Sequence, residues 1–269
     1  MVVCYDSSMI ILVLIVVGLI WGSFVNAFVW RLHVGKDWVR GRSECTVCHH
    51  PLASKDLIPV VSWVSLKGRC RYCHRPIKDS PIVELSVPLL FVASYLWWPW
   101  TLSGEGLLRF VFWLIFIVGF TILAVYDLRW KLLPNKVVYP LAVLSVVQTL
   151  LLFVFYSPDI SLIINAAIGA LIISGGFYVL FQISAGKWIG GGDVKLGLVI
   201  GILCGGAWQA LLLLFIASLL GTIAAVPLMV TKRLKVKATI PFGPYLLLAS
   251  FVIELFGVAI IHWYTHLII

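Results

Sequence analysis

Charge is scarce in this sequence. Asp, Glu, Lys and Arg make up 12% of its 269 residues and apolar types 62%, where a soluble domain has roughly 25% and 45–50%. That shortage excludes an ordinary soluble domain and points to a polytopic membrane protein. Basic residues are missing where a cleaved signal needs them. The first ten residues hold no Lys or Arg, and the first apolar run, Met9 to Trp30, ends at Arg31 and not at a small-residue cleavage site. It therefore reads as a retained span. The +9 net charge sits in loops between apolar runs, so it implies a lipid bilayer and no nucleic acid as partner. No Gly-x-Gly-x-x-Gly follows a strand-like segment, no Ser or Cys has a plausible His beside it, and no internal repeat is visible.

What is present is a series of eight apolar segments, at about 9–30, 82–100, 107–126, 137–156, 160–183, 194–206, 208–230 and 243–265. A transmembrane helix takes about 20 residues, and the sixth segment is the shortest. Lys and Arg set the orientation, since they accumulate in cytoplasmic loops. Residues 31–80 hold ten of them, the turn after the third segment has Arg129, Lys131 and Lys136, and the fifth-to-sixth connection has Lys187 and Lys195. The seventh-to-eighth connection has Lys232, Arg233, Lys235 and Lys237, which leaves Arg109 alone on the other side. The expected fold is an all-α polytopic membrane protein with about eight transmembrane helices and a small cytoplasmic zinc-binding loop domain. Residues 1–30 form the first transmembrane helix, 31–81 the zinc-binding domain and 82–269 a seven-helix core. Both termini are periplasmic in this reading.

Two aspartates then fall at one membrane depth. Asp127 closes the third apolar segment and Asp193 opens the sixth, both on the basic side. Acids at a membrane edge are functional candidates unless paired or wetted. Two carboxylates at short range cannot both ionise easily, so one can act as general base and the other as general acid. Gly190, Gly191 and Gly192 precede Asp193. Without side chains they leave room for a substrate backbone, and they loosen a helix where it lines a wet cavity. Lys195 reads equally as a bias on the pair and as a positive-inside anchor.

Cys45-x-x-Cys48 and Cys70-x-x-Cys73 are separated by 21 residues, the pattern of a four-thiolate zinc site. Disulfides are disfavoured in a reducing cytoplasmic loop, and no thioredoxin-like strand–helix unit supports a redox pair. Such a closed site folds its loop and does no chemistry. His49, His50 and His74 read as solvated neighbours, with a ligand swap as the alternative. The segment from Asp56 to Trp63 fits a small core, a bilayer-surface segment or part of a binding cleft.

Taken together, these residues resemble the bacterial type IV prepilin peptidases, a group of Gly-x-Gly-Asp membrane aspartic proteases. The resemblance runs over about residues 18–250. It rests on Gly22-Ser23-Phe24-Val25-Asn26 with Trp30-Arg31-Leu32, the two Cys-x-x-Cys pairs, and Asp56-Leu57-Ile58-Pro59 with Ser62-Trp63 between them. It continues through Pro76-Ile77, Glu84, Asp127 with Leu133-Pro134-Asn135, Gly190-Gly191-Gly192-Asp193-Val194-Lys195-Leu196, and Ile240-Pro241-Phe242-Gly243-Pro244-Tyr245. His33 and Thr46 stand where the family usually has proline. The resemblance implies an inner-membrane enzyme with two activities. It cleaves the basic leader of type IV prepilins or type II secretion pseudopilins at the cytoplasmic face through Asp127 and Asp193, and then N-methylates the new terminus with S-adenosylmethionine. Asp56, Asp79 or Glu84 are the candidates to meet the basic leader. Two alternatives stand beside this reading. A presenilin-like protease would lack the cysteine pairs and carry Pro-Ala-Leu in place of Pro241-Phe242-Gly243-Pro244, and an ion-coupled transporter would use the paired acids to carry ions.

The charge pattern predicts that reporter fusions at Lys55 and Lys235 report a cytoplasmic location and a fusion at the C-terminus an external one. A cytoplasmic C-terminus would overturn the eight-segment topology.

Overall fold

The computed structural model of the chain describes residues 7–37, 41–77, 79–230 and 241–268. Among them the regular structure is helical, apart from two isolated bridges, Glu44 with Pro51 and Arg69 with Pro76. Six helical runs are long and apolar enough to cross a bilayer. These are α1 (Ser7–His33), α4 (Gly104–Trp130), α5 (Asn135–Phe155), the run Ile160–Ile183, and most of α9 (Ala207–Val230) and α10 (Gly243–Ile268). The run Ile160–Ile183 consists of α6 (Ile160–Ala170) and α7 (Gly176–Ile183), joined by a π-turn at Leu171–Gly175. A short helix, α2 (Val61–Ser65), lies between the cysteine pairs.

Two of the eight expected segments are short. α3 (Pro81–Leu96) has 16 residues and α8 (Gly191–Cys204) has 14. At 1.5 Å per residue they reach roughly 24 and 21 Å, against a hydrocarbon core of about 30 Å. Their ends have local causes. α3 stops before Trp97-Trp98-Pro99, because proline disfavours helix at the residue before it. α8 stops at Gly205, which takes the left-handed conformation (φ 74°, ψ 17°) that glycine adopts at helix C-termini.

The chain divides into two compact units, residues 1–96 with 114–125 and residues 97–113 with 126–269. In the first, α1 packs on α3 through two glycines one turn apart. A β-carbon on Gly18 would lie 2.4 Å from Pro88 Cα, and one on Gly22 would lie 2.7 Å from Glu84 Cα. Lipid tails are as apolar as leucine, so helices associate in membranes by close backbone contact at small residues. Val25 and Val29 of α1 and Val87 and Phe91 of α3 are buried as well.

In the second unit α6 and α8 meet the same way. A β-carbon on Gly169 would sit 2.3 Å from the Gly201 carbonyl oxygen. Leu196, Val199 and Ile200 of α8 are fully buried, as are Ala210, Leu213 and Ala217 of α9 and Leu246 and Ala249 of α10. The π-turn buries Ile173 completely and turns Ser174 so that its hydroxyl donates to the Val194 carbonyl at 2.9 Å. The N-terminal end of α8, which carries the second aspartate, is thus pinned. Arg109, the one basic residue predicted on the outer side, pairs with Glu105 at 2.7 Å and lies 5.4 Å from the Trp100 ring centroid. It is also within electrostatic reach of Glu254 in α10, an acid the sequence reading passed over.

Candidate active site and metal centre

Asp127 lies one turn from the end of α4. That helix closes at Lys131, which is left-handed (φ 55°, ψ 40°) and donates its amide to the Asp127 carbonyl at 2.8 Å. Leu133-Pro134 follows, and Pro134 caps α5. The Asp127 side chain is 5% exposed. Burying a carboxylate is costly unless donors are supplied, and here the Gly243 amide, at the first residue of α10, donates to it. That approach depends on glycine, since a β-carbon on Gly243 would lie 2.6 Å from Asp127 Oδ2.

Asp193 is in the first turn of α8, and its Oδ2 accepts the Gly190 amide at 3.3 Å. Both carboxylates therefore sit at helix N-termini, Asp127 at α10 and Asp193 at α8. Free amides and the helix dipole favour an anion there. The two acids also interact with each other, the charge of Asp127 acting on Asp193. A short chain of contacts links the segments that carry and hold them. Leu133 Cβ lies 3.0 Å from where a Gly192 β-carbon would be, and Leu133 Cδ2 lies 3.7 Å from the corresponding point on Gly243. One leucine thus fills the space between the α4–α5 turn, the start of α8 and the start of α10.

The glycine triplet differs from the sequence expectation. Gly190 is extended (φ −75°, ψ 146°) and caps α8, while Gly191 and Gly192 are already helical. The space at Gly192 is taken by Leu133, and that at Gly191 lies 3.7 Å from the Phe181 ring. Lys195 turns to Asn135, donating to its Oδ1 at 2.9 Å, with its ammonium 5.5 Å from the Tyr139 ring centroid. Among the described residues no salt bridge joins it to either aspartate. Gly243 and Asn135 appear in the sequence motifs, but their roles as partners of Asp127 and Lys195 are visible only in the fold. A Gly-Pro pair opening an apolar run was the available signal. Ile240 of the same motif, and Lys232 to Lys237, lie outside the described residues.

In the first unit the four cysteine sulfurs lie within 4.8 Å of one another, and Cys45 and Cys73 Sγ are 3.9 Å apart. A tetrahedron with metal–sulfur bonds of ~2.3 Å has edges of about 3.8 Å. The two knuckles share one backbone pattern. Cys45 N–H donates to His50 O and His49 N–H to Cys45 O; Cys70 N–H donates to Arg75 O and His74 N–H to Cys70 O, all at 2.9–3.0 Å. His49 and His74 occupy the left-handed position of each turn (φ 58° and 57°). Both are exposed, and neither belongs to the cysteine cluster. His50 stacks on Tyr72 at 3.7 Å between ring centroids, joining one knuckle to the other.

The segment between the knuckles lines a cleft, one of its three expected placements. Asp56 is consumed there. Its carboxylate accepts from Arg71 Nε at 2.7 Å, Tyr72 Oη at 3.1 Å and the Ala53 amide at 3.3 Å. Burial pushes its pKa up, but these donors outweigh burial and hold it below the ordinary carboxylate value. Glu84 accepts the Val60 amide at 2.6 Å. Neither acid waits unpartnered for a basic leader.

Two family models match in sequence order. The "Bacterial Peptidase A24 N-terminal domain" matches residues 16–98, with the four cysteines, and the "Type IV leader peptidase family" matches residues 114–226, with both aspartates. Curated relatives agree. The chain is 35% identical over 233 residues to the prepilin leader peptidase/N-methyltransferase of Aeromonas salmonicida (strain A449), covering 85% of this chain and 76% of that protein. It is 30% identical over 274 residues to the Pseudomonas aeruginosa protein of the same name, covering 92% and 90%. The Bacillus subtilis protein of that name is 29% identical over 255 residues, covering 94% and 96%. No solved structure matches. With these relatives aligned over most of its length, the chain belongs to the type IV leader peptidase family.

Proposed function

We propose that this protein is an aspartic endopeptidase of the bacterial inner membrane. It removes the basic leader from type IV prepilins or type II secretion pseudopilins at the cytoplasmic face, and then methylates the new N-terminus. The observation that carries the first activity is the placement of Asp127 and Asp193, each held by a backbone amide at a helix N-terminus, with the charge of Asp127 reaching Asp193. The name carried by the relatives supports the second.

The chemistry follows from the pair. Two carboxylates in mutual repulsion share one proton. The ionised one takes a proton from a water molecule, whose oxygen bonds to the carbonyl carbon of the leader's last residue. The protonated one donates to the carbonyl oxygen as it becomes negative. The C–N bond then breaks as the leaving nitrogen takes up a proton. Gly243 and Gly190 orient the two carboxyls for these transfers. In this reading all eight apolar segments cross the membrane, residues 31–81 form a cytoplasmic zinc-binding module and both termini are periplasmic. Cys45, Cys48, Cys70 and Cys73 hold one structural zinc that ties the knuckles together. S-adenosylmethionine, when bound, supplies an electrophilic methyl group.

Asp127→Asn and Asp193→Asn are each expected to lower the rate of prepilin cleavage by about 10²–10⁴-fold or more, since an amide cannot transfer the protons. Methylation of a pre-cleaved pilin should survive both changes. The wild-type pH profile should be bell-shaped, because low pH protonates the base and high pH deprotonates the acid. Near-normal cleavage by either variant would remove the dyad. Gly243→Ala inserts a β-carbon against the Asp127 carboxylate and is expected to reduce kcat by about 10²-fold, the cost of misplacing a catalytic group by ~1 Å. An unchanged kcat would show that the Gly243 contact does not set the geometry. Metal analysis of purified protein should find one zinc per chain. Cys45→Ser or Cys73→Ser should release it and leave the membrane helices assembled; wild-type protein without zinc would refute the centre.

A further inference from the structure

Lys195 is the basic residue of the run Gly190 to Leu196, and the proton transfers between the aspartates do not use it. Its direction follows from helix geometry. Residues three apart share a face of a helix and residues two apart do not. Lys195 therefore sits on the face of Gly192, and Asp193 points elsewhere. That shared face meets the α4–α5 turn at both positions. Leu133 fills the space at Gly192, its Cβ 3.0 Å from where a Gly192 β-carbon would be, and Lys195 Nζ donates to Asn135 Oδ1 at 2.9 Å. Leu133 and Asn135 flank Pro134, the cap of α5. An apolar plug and a polar bond, one on either side of that proline, fasten the turn to α8.

This bond is not what a membrane-edge anchor makes. An anchoring lysine extends its ammonium to water or headgroups. Lys195 instead folds back onto a residue 60 positions away in the chain. Its ammonium rests at the first residue of α5, 5.5 Å from the ring centroid of Tyr139, which lies one turn along the same face of that helix. A helix N-terminus disfavours a cation, so the amide oxygen and the ring face supply what the location withholds. The opposite side of α8 is held as well, since the Ser174 hydroxyl donates to the Val194 carbonyl at 2.9 Å. Gly192, Val194 and Lys195 are thus engaged from outside the helix, and Asp193 lies among them with its carboxylate on the Gly190 amide. Asp127 enters the fastened turn from the end of α4. The Lys195–Asn135 bond therefore ties the segment that follows one acid to the helix that carries the other.

We propose that Lys195 is a positioning residue for prepilin cleavage, an inference that rests on the dyad reading above. Its bond to Asn135 fixes the start of α8 against the α4–α5 turn and so sets the spacing of Asp193 and Asp127. In this role Lys195 acts through Asn135 and bonds neither acid. Asn135 is exposed and Lys195 is half-buried, and polar pairs at such positions add little to global stability. Loss of the bond is therefore expected to leave the protein folded and to slow the reaction.

The test is the steady-state kinetics of prepilin cleavage by purified full-length variants, with thermal unfolding measured beside it. Lys195→Met keeps the stem and removes the donors; Asn135→Leu removes the acceptor; Asn135→Asp keeps one. Lys195→Met and Asn135→Leu are each expected to lower kcat by about tenfold or more, with KM within about twofold of wild type. The double variant should be no slower than the slower single, because both changes remove the same interaction. Asn135→Asp should retain most of the wild-type kcat. A second readout needs no cleavage. In a chain carrying Asp127→Cys and Asp193→Cys, adding Lys195→Met should cut the yield of thiol cross-link between positions 127 and 193, and an unchanged yield overturns the role. An unchanged kcat in Lys195→Met overturns it and leaves Lys195 an anchor. A raised KM at unchanged kcat overturns it in favour of contact with the substrate. A shift of the pH profile in Lys195→Met that Asn135→Leu does not share overturns it in favour of charge acting directly on the acids. In each of these cases the dyad stands as long as Asp127→Asn and Asp193→Asn are inactive. If either of those cleaves, the dyad and the role of Lys195 fall together.

Discussion

The constraint on which the second unit depends is the placement of two negative charges in an almost uncharged chain. A carboxylate that is 5% exposed, as Asp127 is, persists only if the fold brings it donors. This fold brings them from helix starts. The first amide of α10 meets Asp127, and the cap of α8 meets Asp193. A helix N-terminus has free N–H groups to give, so the aspartates can share an apolar setting without a cationic partner. A lysine bonded to either acid would quench the proton sharing proposed for the pair, and Lys195 is tied instead to Asn135 and Tyr139.

The remaining packing serves that placement. Gly243 admits the amide to the carboxylate, Gly192 makes room for Leu133, and the Gly169–Gly201 contact lets α6 and α8 touch backbone to backbone. The π-turn in the run Ile160–Ile183 then directs Ser174 at the Val194 carbonyl. In the first unit the same use of small residues joins α1 to α3. There the polar groups are organised by a cysteine cluster and by Asp56, which gathers Arg71, Tyr72 and the Ala53 amide.

The sequence made some of this legible and hid the rest, for identifiable reasons. Aspartates at the ends of charge-free runs stand out because the background is apolar, and cysteine pairs stand out because their spacing is the chemistry. Helical segments were legible from hydropathy; α3 ended earlier than expected, before Pro99, whereas α8 was as short as expected and closed at Gly205. The glycine triplet was read as open space beside Asp193. In the fold two of the three are helical, and Leu133 fills the gap at Gly192. Gly243 and Asp127 are far apart in sequence, and no local pattern announces their contact.

Cross-linking within the membrane-embedded protein measures the central claim most directly. With Asp127→Cys and Asp193→Cys combined in one chain, mild oxidation or a short thiol-specific reagent is predicted to join the peptides carrying positions 127 and 193. Neither single variant should give that product. A double variant in which both thiols react separately, yet no reagent of any short span joins them, would contradict a shared site for the two aspartates.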